Sequence, residues 1–238
     1  MKKQRSEEIV YGFNAALAVF ASRPDAIIRC YLDKEIKQKF SEQLKILSKQ
    51  KKAYHLVDKA ELDKITSSTH HEGVSLLVKR NAVLAPIDAF SDLKDKALIV
   101  ALSGVQNPHN IGALARSAAH FGAAGIILPE NFDPPASSYR VAEGGFESLI
   151  IASGSDEEIL AMKAKGFKII APSPHSGSDA RTFKFPKKSI LVFGSEGEGL
   201  NPNFEKQCDY LVNIPGSGNV ESLNVSAAAA VLLWCASS

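Results

Sequence analysis

Three segments rich in Gly, Asn, Glu and Ser stand in the C-terminal half of this 238-residue chain, each directly after a short apolar run. The first runs from Asn107 to Ser117, after Ala97 to Leu102. The second, Phe193 to Leu200, follows Ser189 to Val192, and the third, Ile214 to Ser226, follows Tyr210 to Asn213. Apolar runs of four to six residues ended by glycine-rich loops read as buried strands. In open α/β sheets ligands bind where loops leave the carboxyl ends of such strands. Three loops of this kind in one domain point to a single site built from all three.

The surrounding pattern supports an α/β reading. Strands are expected at Ala97–Leu102, Gly125–Leu128, Phe167–Ala171, Ser189–Phe193 and Tyr210–Ile214. Helices are expected near Ile111–Phe121, Asp156–Lys165 and Leu223–Cys235, with a shorter one near Ser137 to Glu147. Ser155 caps the second of these, with Glu158 three residues on, and Gly166 stops it. Mostly parallel pairing follows from the alternation. The N-terminal part has its own rhythm: a helix over Asn14–Ser22 ending before Pro24, a strand at Ala26–Leu32, and an amphipathic helix over Ile36–Gln50. Strands at Ala53–Val57 and Val74–Lys79 enclose a short helix opened by Asp58 and Glu61. The expected organisation is a small α/β domain over residues 1–81, a linker over 82–95 around Pro86, and a larger domain over 96–238.

Charge divides along the same line. Residues 1–81 hold 16 Lys and Arg against 10 Asp and Glu, a net +6, while the remainder is net −4. Surplus lysine on solvated helix faces accounts for this; so does an electrostatic footprint for nucleic acid, with Lys45, Lys49, Lys51 and Lys52 the densest cluster. Cys30, Cys208 and Cys235 are odd in number and far apart, which reads as reduced thiols in a cytosolic protein. No signal peptide is expected after Met1-Lys2-Lys3, and no apolar run reaches the ~18 residues that span a membrane. No metal site is expected: His70, His71 and Glu72 are adjacent and cannot reproduce HExxH spacing.

Each segment has a structural reading and a chemical one. Asn110 suits a helix N-cap. Arg116 suits a solvated helix face, yet its alanine-rich helix needs no arginine for packing. Gly194-Ser195-Glu196-Gly197-Glu198-Gly199 suits a turn, but glycine density at a strand end also permits close backbone approach to a ligand. No Lys-Ser/Thr follows it, so it is not a Walker loop, and its two carboxylates favour a cationic ligand over polyphosphate. Ser222 reads as a cap for the last helix, and Gly216, Ser217 and Gly218 fit a loop bending around a small molecule.

In order, spacing and wording the three segments resemble the signature motifs of the SpoU/TrmH branch of the SPOUT methyltransferases, over roughly Lys96 to Ser238. Ile9 to Ala15 and Thr69 to Val74 resemble, more loosely, the substrate-binding domain often attached to that family. The resemblance implies methyl transfer from S-adenosylmethionine to a ribose 2′-hydroxyl of RNA, with rRNA favoured by the N-terminal domain and tRNA the other candidate. It implies a trefoil knot in the larger domain and a homodimer, and the reduced thiols point to a cytoplasmic setting. It assigns Asn110, Arg116, Glu196, Ser222 and Asn224 to the catalytic centre. Gly194, Ile214 and Leu223 fall to the cofactor, held through their backbones. The general base stays open between Arg116 in an unusual state and another group, since an arginine pKa above ~12 makes it a demanding base. One departure is Glu143, in Arg140 to Glu147, where the family commonly has a small or hydroxyl residue; it bears on which RNA is bound. A non-catalytic RNA-binding protein of the same fold, acting in ribosome assembly, is the alternative function.

Overall fold

The computed structural model describes residues 6–93 and 95–237. Two compact units emerge. One holds the chain up to Ala82 together with Pro134–Ser148; the other holds Val83–Asp133 and the chain from Leu149 onward.

The first unit is built on a four-stranded sheet of β1 (Glu7–Tyr11), β2 (Ile27–Leu32), β3 (Tyr54–Leu56) and β4 (Val74–Lys79). Its order is β1-β4-β2-β3, with β4 antiparallel to both neighbours and β3 parallel to β2. Alternation decides which face is covered: Val10, Cys30, Leu32, Val74, Leu76 and Val78 are all buried. Helix α1 (Phe13–Ser22) buries Ala15, Ala16, Val19 and Phe20, and α2 (Ser41–Lys49) buries Leu44 and Leu47. Ahead of α2 the expected helix tightens into a 3₁₀ turn over Lys37–Phe40. There Phe40 is fully buried and its ring meets Phe13 at 5.4 Å, edge to face. Asp58 caps α3 (Lys59–Thr66), accepting from the Glu61 amide at 2.8 Å. Strand β1 lies where no strand was drawn. It has only five residues and begins with two glutamates, so it carries little apolar signal.

Pro134–Ser148 belongs to this unit although the sheet strands flanking it in sequence do not. It forms α6 (Ala136–Ala142) and a 3₁₀ turn over Gly145–Ser148. Buried charge fastens it. Arg23 binds Glu147 at 2.7 Å and Glu8 at 3.1 Å, and donates to the Lys79 carbonyl at 2.8 Å. The Tyr139 hydroxyl donates to Glu8 at 2.7 Å, and Arg80 Nε lies 3.3 Å from the same carboxylate. Burial disfavours the charge on Arg23, but the hydrogen bond and charge of Glu147 outweigh it and hold its pKa above the usual value. Burial and the neighbouring Glu8 push the Tyr139 phenol up.

The second unit is a seven-stranded sheet in which every pair is parallel, ordered β7-β6-β5-β10-β8-β11-β9. Its strands are β5 (Ala97–Leu102), β6 (Gly125–Pro129), β7 (Ile150–Gly154), β8 (Lys168–Pro172), β9 (Ser178–Asp179), β10 (Lys188–Phe193) and β11 (Tyr210–Asn213). Covered on both faces, β5 and β10 read as unbroken apolar runs; Ile99 through Leu102 and Ile190 through Phe193 are buried. Strand β7 was not expected, its Ile-Ile-Ala-Ser-Gly being short and half small residues. The stretch 82–95, expected as a linker, carries helix α4 (Pro86–Ala89) and the fully buried Phe90. Helix α7 (Asp156–Ala161) begins with both halves of the Ser155–Glu158 capping box, continues as a 3₁₀ turn and stops at Gly166 in a left-handed conformation. Two helices matter for the site: α5 (Pro108–His120) after β5, and α9 (Val225–Ser237), which packs on α5. A short α8 (Pro202–Glu205) precedes β11.

Arg23→Ala should lower the unfolding free energy by about 3 kcal/mol or more, because it leaves the buried Glu147 carboxylate without its cation rather than removing a surface pair. Urea denaturation followed by circular dichroism checks this.

Candidate active site

The sheet order changes direction between β5 and β10. From β5 the chain moves outward to β6 and β7; β10 starts the other side. Crevices at such switch points are where α/β sheets hold ligands. Here the loops after β5 and β10 lie side by side: the Ser103 amide donates to the Phe193 carbonyl at 2.8 Å, and a Cβ on Gly104 would stand 3.7 Å from that of Ser195.

The β10 loop closes on itself. Ser195 and Gly199 exchange amide–carbonyl hydrogen bonds of 3.1 and 3.0 Å. A Cβ on Gly194 would come within 2.2–2.4 Å of the backbone of Gly199 and Leu200, so this position admits only glycine. The turn leaves Glu196 exposed.

Helix α5 starts earlier than its sequence suggested. Asn107 is the cap, accepting from the His109 amide at 2.9 Å, with Pro108 in the first turn. Asn110 is therefore not the cap but a first-turn residue, and it is buried. Six residues on, Arg116 is displaced by about 9 Å along the axis and about 120° around it, and it is exposed.

The third loop returns to this place through α9. Asn224 stands just before α9 and caps it, its Oδ1 accepting from the Ser226 amide at 2.9 Å. Asn224, rather than Ser222, thus performs the capping. The Ser226 hydroxyl donates to the same oxygen at 2.6 Å. With Oδ1 occupied twice, the Asn224 amide nitrogen faces the other way: it donates to Glu196 and lies 3.5 Å from Asn110 Oδ1. One residue from each segment thus enters a single hydrogen-bonded set. Ser222 and Leu223 are exposed in the loop before Asn224, and Ile214 is half-buried directly after β11. Sequence reading missed Ser226 as an orienting group; its place two residues beyond an Asn at a helix start is the capping pattern that marks it.

The irregular loop after β8 approaches the third segment. Asn213 donates to the carbonyls of Ser173 at 3.0 Å and Pro174 at 2.8 Å, and His175 lies 3.8 Å from Glu221. Glu143 stands elsewhere, in the first unit, in a left-handed conformation after α6, where it accepts from the Asn14 side chain at 3.1 Å. Among the described residues no group of three His, Cys, Asp or Glu could hold a metal ion.

Residues 97–234 match the SpoU rRNA Methylase family, and residues 9–83 match a domain described as RNA 2′-O ribose methyltransferase substrate binding. The chain belongs to the SpoU rRNA methylase family. It is 35% identical over 237 residues to a protein of Escherichia coli O157:H7 named as the uncharacterized tRNA/rRNA methyltransferase YfiF, covering 98% of this chain and 69% of that one. It is 30% identical over 244 residues to the 23S rRNA (guanosine-2′-O-)-methyltransferase RlmB of Shewanella oneidensis, covering 98% and 97%. Among solved structures, the SpoU methyltransferase AviRb of Streptomyces viridochromogenes, in complex with AdoMet, superposes with a TM-score of 0.81 at 24% identity, covering 98% of this chain and 90% of the other. That likeness confirms a SpoU α/β fold with a smaller N-terminal unit.

Asn224→Ala should cost about 1 kcal/mol of stability through loss of the cap. Asn224→Ser, which keeps a capping oxygen but removes the donor to Glu196, should stay near wild type. Urea midpoints of the two variants test that division.

Proposed function

We infer that this protein transfers a methyl group from S-adenosylmethionine to a ribose 2′-hydroxyl of RNA, and that its substrate is rRNA. The observation that carries this reading is the Asn110–Asn224–Glu196 set, assembled at the sheet's switch point from three separate segments. The relatives named as 23S rRNA (guanosine-2′-O-)-methyltransferases support the substrate. No observation favours a non-catalytic protein of the same fold.

The residues present suit such a cofactor. The glycine-closed turn admits close approach at Gly194, and the exposed Glu196 offers a carboxylate to a cationic ligand. Backbone groups at Gly194, Ile214 and Leu223 would hold the cofactor, which supplies an electrophilic methyl on a sulfonium. Asn110, Asn224 and Glu196 would orient the ribose, with Ser222 beside them. Arg116 would hold the neighbouring phosphate and stabilise the negative charge that develops on the ribose oxygen. The planar fork of donors suits that electrostatic and positioning role.

The reading extends to a homodimer in the cytoplasm and to a knotted C-terminal segment. Support for the dimer comes from α9. Ala227, Val231 and Trp234, spaced four and three residues apart, form one exposed stripe, with Trp234 61% exposed and Val220 nearby in sequence 72% exposed. Exposed apolar stripes of this kind mark interaction surfaces. No helix among the described residues is long and apolar enough to cross a membrane.

Arg116→Ala should retain cofactor binding by calorimetry in EDTA and cut methyl transfer about a hundred-fold or more, as loss of one preorganised donor typically does. Arg116→Lys should rescue little, because a point charge does not replace the planar fork. Tritium transfer from labelled cofactor into unmodified rRNA under single-turnover conditions measures both; near-normal transfer by the alanine variant refutes the assignment. Trp234→Glu should shift a dimer to monomer in sedimentation velocity. A wild-type protein that sediments as a monomer across micromolar concentrations overturns the dimer.

A further inference from the structure

The lysine cluster that stood out in the sequence is partly spent within the fold. Lys52 donates to the carbonyls of Pro24 at 3.0 Å and Asp25 at 2.8 Å, and Lys45 pairs with Glu42 at 2.7 Å. A different surface of the same unit carries ring faces together with positive charge. Strand β3 is the edge of the four-stranded sheet, and all three of its residues are exposed. Its register sets Tyr31 of β2 opposite His55, and the two rings stack with centroids 5.4 Å apart at an angle of 24°. Arg29, two residues before Tyr31, projects from the same face of β2 and is exposed. On the other face Tyr54 and Leu56 are opposite the buried Cys30 and Leu32, yet are themselves 40% and 41% exposed. The Lys37 ammonium lies 5.9 Å from the Tyr54 ring centre.

We propose that the β3 edge, through Tyr54, His55 stacked on Tyr31, and the cations Arg29 and Lys37, is a stacking platform for unpaired nucleotides of the RNA substrate. This inference rests on the reading of the protein as an RNA methyltransferase. Sequence-tolerant binding of single-stranded RNA combines ring faces for the bases with cations for the backbone, and both line this strand edge, His55, Tyr31 and Arg29 on one face and Tyr54 with Lys37 on the other. The net +6 of residues 1–81 complements the charge of a nucleic-acid polyanion.

The test uses the full chain with a fluorescein-labelled 12-nucleotide single-stranded RNA of mixed sequence, the matched duplex, and rRNA lacking the modification. The double variant Tyr54→Ala/His55→Ala should bind the single strand about ten-fold or more weakly. Duplex affinity, cofactor affinity and thermal melting should be unchanged. In methyl transfer KM for rRNA should rise while kcat at saturation holds. Tyr54→Phe/His55→Phe, which keeps the ring faces, should retain affinity. Arg29→Ala should weaken binding and flatten its salt dependence. Wild-type protein that binds and methylates RNA while the alanine double variant matches it overturns the platform and leaves the methyltransferase reading intact. Unchanged RNA affinity with an altered sedimentation coefficient assigns the edge to a protein contact and likewise overturns it. Wild-type protein that neither binds nor modifies RNA overturns both.

Discussion

Six parallel register pairs, from Lys188 with Ala97 to Phe193 with Leu102, join β10 to β5, and the candidate site depends on them. The two strands are separated by more than eighty residues of chain, and each is followed by a loop that has little stability of its own. Pairing them in register delivers both loops to the same height at the carboxyl edge of the sheet, at the point where the strand order turns outward in both directions. Every other element of the second unit either extends this pair or covers it. The continuous burial of Ile99 through Leu102 and of Ile190 through Phe193 is the cost-free part of that arrangement, since a parallel strand covered on both faces needs no polar side.

The third segment reaches the site by a different physical route. Strand β11 is separated from β10 by β8, so sheet pairing alone does not bring its loop to the other two. Helix α9 does, by packing on α5; α9 buries Ala229, Leu232, Leu233 and Ala236, and α5 buries Ile111, Leu114, Ala115 and Ala118. The cap of α9 is then also a member of the site. Asn224 uses its oxygen to start the helix and its nitrogen to meet Glu196, so one side chain serves both the helix start and the hydrogen-bonded set. Ser226 makes that sharing unambiguous, because a second donor on Oδ1 leaves only the nitrogen to face Asn110 and Glu196.

The first unit shows the opposite balance, with buried polarity doing the joining. Glu8, Arg23, Arg80, Tyr139 and Glu147 come from β1, the turn after α1, the chain after β4, and the Pro134–Ser148 segment. A hydrophobic contact would tolerate small slips of α6 against the sheet. A set of charge-assisted hydrogen bonds between buried partners does not, because each displaced partner leaves an unpaired charge. Glu143 belongs to the same segment: it accepts from Asn14, far along the chain, and its setting is that of the first unit.

Most of the strands, the cap at Ser155 and the helical stop at Gly166 were legible because they depend on a few neighbouring residues. So were the three segments, whose residue types and positions after strands are local properties, and the family resemblance that rests on them. Strands β1 and β7 were not, since short runs containing Glu, Ser or Gly become strands only when partners pair with them. Asn110 and Ser222 read as caps because Asn and Ser suit that place; which residue caps depends on where the helix actually begins, and packing moved that to Asn107 and Asn224. The sequence by itself determined an α/β chain with three Gly-, Asn- and Glu-bearing loops after strands and the residue types they carry. Tertiary structure alone decided that Asn110, Glu196 and Asn224 share one hydrogen-bonded set, that Arg116 stands on another face of α5, and that Pro134–Ser148 joins the first unit. Those outcomes are set by strand register, helix packing and buried charge between residues distant in the chain, and no local pattern encodes them.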